Sequence, residues 1–114
     1  MRQTLTTLVL VATLAAAHTA AAQTPAQVEQ GQKVFAAQKC SICHSIAALG
    51  NKKGPLDGVG AKLSADAIRQ WIVDAPAMAA KTKAERKPPM KAYATLPKEE
   101  LDGLVAYLQS LNKP

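Results

Sequence analysis

The sequence is short of the residues that usually fill a protein interior or build a metal centre. Only 4% of its 114 residues are aromatic, and it has two cysteines and two histidines. Hydrophobic residues reach 48%, too many for a chain disordered by composition, but alanine is the largest single part of that share. A core built from this set is thin unless another body fills it. So few thiols and imidazoles sharply restrict any metal chemistry. Acidic residues are scarce too: eight against 14 Lys and Arg, for a formal charge of +6. No stretch of five or more residues alternates in the manner of a strand. The length allows one domain and leaves no room for two independent cores.

What is present begins with a leader. Arg2 precedes an apolar run, Leu5–Ala17, broken only by threonines, and Ala20-Ala21-Ala22 forms an A-x-A site before Gln23. This is the layout of a secretory signal peptide over residues 1–22, with a folded domain over 23–114. The run is shorter than the roughly 18 apolar residues of a membrane anchor, so no stable membrane insertion is expected after cleavage. The residue directly after the site is Gln23 and not a cysteine, which argues against a lipid anchor. Cleavage also removes His18, so the mature chain keeps one histidine, His44, beside its only two cysteines.

The remainder reads as helix and loop. Thr24-Pro25-Ala26-Gln27 carries a capping residue, a proline at the first helical position and a glutamine at the third. Val28, Gly31 and Phe35 share a face of the helix this predicts, which should reach about Lys39. Ser64 caps a second helix with Ile68, Trp71 and Ile72 on its apolar face, ending near Asp74 because of Pro76. Leu101, Leu104, Val105, Leu108 and Leu111 form the stripe of a third, which begins near Pro97 with Glu99 and Glu100 in its first turn. A short helix is expected around Ala77 to Arg86, halted by Pro88-Pro89. Ser45 to Leu63 holds too many glycines and prolines for a helix. That much loop in so small a domain implies loops wrapped around a ligand.

Cys40-Ser41-Ile42-Cys43-His44 is a C-x-x-C-H string, the attachment signal of a c-type haem. Two thiols add across the two haem vinyl groups, and the two-residue gap matches the vinyl spacing when the segment turns like a helix end. The adjacent imidazole then meets the iron from the proximal side. Three other readings stand beside it. A structural zinc site needs four ligands where the mature chain offers three. A dithiol redox pair needs a βαβ setting that is missing here. A disulfide suits an exported protein but leaves His44 without a role. A covalent haem also supplies the large apolar body that the aromatic-poor core lacks.

With these residues in view the chain resembles the class I c-type cytochromes, small bacterial periplasmic ones in particular. Gly31 and Phe35, the C-S-I-C-H motif, the Gly54-Pro55-Leu56-Asp57-Gly58-Val59-Gly60 loop, Pro89-Met90 and Tyr107-Leu108 follow the family's order of landmarks. The resemblance implies an all-α cytochrome c fold of three main helices plus loops around one haem c. It also implies one-electron transfer without substrate chemistry. On the same ground the Pro55 carbonyl is expected to accept a hydrogen bond from the proximal imidazole. The Trp71 indole is expected to donate toward a haem propionate, or simply to pack. Pro97 departs from the pattern, standing where Ser or Thr would cap the last helix, and the stretch Lys81–Lys87 is unusually basic.

The sixth iron ligand must come from elsewhere in the chain. Met90, after two stiffening prolines, is the expected donor. Met78, at helix-friendly spacing, is expected to pack, and an open or lysine-bound site is the remaining alternative. Lys39, Lys52, Lys53, Lys62, Lys81, Lys83, Arg86, Lys87 and Lys91 fall in or beside the same loops. They predict either steering of an acidic redox partner or a basic, solubilising surface. Nucleic acid is not an expected partner, since the basic stretches lack interleaved aromatics. The sequence thus points to a periplasmic electron carrier, not an enzyme. A subunit of a periplasmic dehydrogenase or reductase is the alternative, so monomer and complex both remain open. A small haem peroxidase fits less well, for want of a spare distal acid–base group.

Overall fold

Thr24 starts the first helix as its sequence predicts. Its hydroxyl accepts the Gln27 backbone N–H at 3.2 Å, and the Gln27 side chain accepts the Thr24 N–H at 3.1 Å. Helix α1, Pro25–Ala37, follows. The computed structural model describes residues 23–114, and the leader expected over 1–22 lies outside the described residues. A 3₁₀ turn at Cys40–Ile42 comes next, then strands β1, Ser45–Ile46, and β2, Leu49–Gly50, and the single-turn helix α2, Val59–Lys62. Helices α3, Ala65–Val73, α4, Ala75–Thr82, and α5, Lys98–Ser110, complete the order. No described helix is long and apolar enough to cross a membrane.

Several expectations need adjustment. Helix α1 stops at Ala37, two residues short of Lys39, because Lys39 turns left-handed with φ 56°. Two short strands pair antiparallel within the glycine-rich loop. The helix expected at 77–86 lies at 75–82. Asp74 closes α3 and at once caps α4, accepting the Ala77 N–H at 3.3 Å. Pro76 then sits in the first turn of α4, where its missing N–H costs nothing. Lys83, left-handed at φ 55°, ends α4 well before Pro88. Pro97 flanks α5 and makes no side-chain cap.

The core is the meeting of α1, α3 and α5. Val34, Ile68, Ile72, Leu104, Val105 and Leu108 are its buried members. Arg69 joins α3 to α5 through Asp102 at 2.7 Å, with Lys98 on the other carboxylate oxygen at 2.5 Å. Hydrogen bonds from Lys98 and then Arg69 hold the Asp102 carboxyl below the usual carboxylate range. Phe35 of α1 meets Tyr107 of α5 edge to face at 5.8 Å.

Gly31 makes the α1–α5 crossing possible. A Cβ there would collide with the Gly103 carbonyl oxygen and the Tyr107 Cβ of α5. Nothing in the local sequence marks Gly103 as its partner. Alanine gains about 1 kcal/mol over glycine in a free helix, whereas overpacking costs about 1–3 kcal/mol and a rigid backbone carbonyl cannot yield. Gly31→Ala should therefore destabilise, by about 2 kcal/mol. A denaturant midpoint at or above that of the parent protein would show that the helices separate freely.

Candidate functional site

The left-handed Lys39 throws the chain out of α1 into the 3₁₀ turn. The Cys40 carbonyl then accepts both the Cys43 N–H at 3.1 Å and the His44 N–H at 2.9 Å. Residues three apart in such a turn lie nearly eclipsed, so the Cys40 and Cys43 thiols project from one side. Both are free and half-buried. Burial raises the Cys40 thiol above its ordinary value, with the neighbouring Cys43 adding to this and the local backbone bond and Lys91 opposing it.

The hairpin after His44 is tied on several sides. Asn51 donates its side-chain N–H to the Ile42 carbonyl at 3.0 Å, and its backbone N–H reaches both Ser41 and His44 carbonyls. Asp57 accepts the Ala47 N–H at 2.8 Å. Ser45, buried, donates to the Gly54 carbonyl at 3.0 Å and accepts from Leu56 at 2.8 Å.

These ties place the Gly54 carbonyl 3.1 Å from His44 Nδ1. A carbonyl only accepts, so Nδ1 carries the proton and the Nε2 lone pair is left for a metal. The acceptor is one residue before the Pro55 that the resemblance implied. Pro55 itself is exposed and lies against Ser45 across the loop. Burial holds His44 below its ordinary pKa, opposed by the Gly54 bond and helped by the Arg86 charge. Burial and the Arg86 charge both favour the neutral ring, the form that binds a metal.

Every residue from Lys81 to Ala92 is exposed except Met90, which is half-buried. Lys91 and Tyr93, just beyond it, lie near Cys40: Lys91 lowers that thiol, and Tyr93 is held above its ordinary pKa by burial and then by the two cysteines. The bond from Arg86 to the Cys43 carbonyl brings the Met90 segment past the attachment motif. Met78 is 8% exposed within α4 and enclosed by protein. Trp71 is half-buried on α3, and among the described residues its indole makes no hydrogen bond. The nine basic residues named from the sequence are all exposed.

The donor set fits a covalent haem. Two thiols project from one side of a turn, and the imidazole beside them keeps its outer nitrogen free. Among the described residues no three His, Cys, Asp or Glu side chains gather around a common point, as an ion bound by protein alone would require. Sequence reasoning missed Gly54 and Asn51 as supports. Arg86 was visible only as one basic residue among nine, and its contact with Cys43, 43 residues away, has no local signal. Among known proteins, the family model described as Cytochrome c matches residues 28–112, from α1 to beyond the end of α5. No curated protein and no solved structure gives a match.

Proposed function

We propose, from the premise that this chain belongs to the cytochrome c family, that it is an exported, periplasmic carrier of single electrons with His44 and Met90 as axial ligands. Family membership carries the coarser part: a covalently bound haem c and a role in electron transfer. When bound, haem c supplies a one-electron iron couple. The leader over 1–22 supports the periplasmic setting.

The residues divide the work. Cys40 and Cys43 hold the cofactor by thioether bonds. His44 offers Nε2 to the iron, and the Gly54 carbonyl fixes the ring and strengthens it as a donor. Met90 offers a soft thioether that favours ferrous iron and raises the potential. If His44 and Met90 both held the iron, they would leave no open position for peroxidase chemistry. Trp71 has its indole N–H free for a propionate.

The observation that carries the ligation is that Met90 alone is half-buried in an otherwise exposed stretch beside the attachment motif. Absorption spectra test it. The oxidised protein should show the weak long-wavelength band of a methionine–iron bond, and its absence would replace Met90 with an open or lysine-bound site.

The exposed basic residues suit an acidic partner. Charges are screened over about 8 Å at 0.15 M salt, so electron transfer with such a partner should slow steeply between low and physiological salt. Lys81→Glu with Lys87→Glu should slow it about tenfold at low salt and flatten the salt dependence. A rate insensitive to both changes would reduce the basic surface to a solubilising one. A second reading, a module of a larger redox complex, is favoured by Ile42 and Leu49, 66% and 78% exposed beside the motif. Gel filtration of native extract separates the two: a carrier elutes at its own size.

A further inference from the structure

The stretch that carries Met90 has few attachments of its own. Among the described residues its flanking backbone ties are Ala84 N–H to the Ala79 carbonyl at 2.9 Å and Tyr93 N–H to the Ile72 carbonyl at 2.8 Å. Between them, residues 85–92 make no backbone–backbone hydrogen bond. One long-range bond crosses this interval. Arg86 Nη2 donates to the Cys43 carbonyl at 2.5 Å. The guanidinium lies against Gly54, where a Cβ would strike both Arg86 Nη1 and the Cys43 oxygen. The Gly54 carbonyl is the acceptor for His44 Nδ1. Arg86 thus joins the segment of one axial ligand to the loop that orients the other.

We propose that Arg86 is a strap, a positioning residue that holds the Met90 segment against the His44 loop and so keeps the Met90 sulfur at the iron. The proposal rests on the His44/Met90 reading. A tether four residues from Met90 raises the effective concentration of its sulfur at the iron, because the free loop on that side is shortened. The bond is charge-assisted, and a flat guanidinium fits over a glycine where a lysine ammonium offers a single point. Its fixed positive charge beside the His44 loop also favours ferrous over ferric iron.

The test compares the intact holoprotein with Arg86→Gln, Arg86→Lys and, for an equal change of charge on a remote helix, Lys33→Gln. Three readouts apply: the rate of imidazole binding to the oxidised form, the reduction potential, and backbone order parameters of residues 84–92 in the reduced form. Arg86→Gln should bind imidazole about tenfold faster, show lower order in 84–92 and have a lower potential. Arg86→Lys should restore part of the potential but less of the order. Lys33→Gln should match the parent protein. If Arg86→Gln matches Lys33→Gln in imidazole rate and in order parameters, there is no strap. Met90→Ala separates the two ideas. Should it leave the parent spectrum unchanged, the axial-ligand reading fails, and the order parameters alone then decide whether Arg86 holds the segment.

Discussion

Replacing Cys40 and Cys43 together with alanine is expected to give a chain that retains little haem and little helix. The reason lies in the interior. Its main buried cluster has six residues, none larger than leucine or isoleucine. Phe35 and Tyr107, the aromatic pair of the α1–α5 contact, remain partly exposed. A domain near this size is marginal on its own core, and such domains commonly depend on a cofactor, metal or cross-link. The thioether bonds keep the haem in place, so their loss removes that contribution, as metal loss unfolds small metallo-domains. The single substitutions should show the same defect more weakly. Far-ultraviolet circular dichroism with haem content after extraction in denaturant measures both. Full helical dichroism in a haem-free double variant would contradict the argument and show that the protein core suffices.

The second large effect separates the two methionines. Met90→Ala should abolish the methionine–iron band and lower the reduction potential by a sizeable part of the ~0.8 V range that axial ligation spans among haem proteins. A thioether stabilises ferrous iron relative to water or hydroxide, so its loss favours the ferric state. The opened position should bind cyanide and carbon monoxide quickly and give new peroxidase-like turnover. Met78→Ala should leave band and potential nearly unchanged while costing about 2–5 kcal/mol of stability as a truncation of an enclosed side chain. The opposite pattern would exchange the two assignments. If neither substitution changes the spectrum, the sixth ligand is not a methionine, and Lys81, Lys87 and Lys91 are the next candidates.

Much of this was legible before any coordinates. Thr24 and Ser64 announce their helices through hydrogen bonds that span only three residues. The stripe on α5 is a matter of periodicity, and C-x-x-C-H is a chemical requirement written in five consecutive positions. Local signals start the short helix two residues late, because Pro76 reads as a breaker of what precedes it. Asp74 instead ends one helix and caps the next, and a first-turn proline is tolerated.

Local residues and composition alone carry the helical class, the caps, the attachment motif and the shortage of core volume that calls for a cofactor. Each of these is set by neighbours within a few residues or by composition. That the Gly54 carbonyl, not that of Pro55, accepts the hydrogen bond from His44 Nδ1 emerges only in the folded chain, because the choice of carbonyl depends on how the hairpin closes. The tertiary structure likewise placed Gly103 opposite Gly31, half-buried Met90 and set Arg86 on the Cys43 carbonyl. These contacts join residues brought together by packing from distant parts of the chain. Their geometry follows from the path of the whole backbone, which no local pattern encodes.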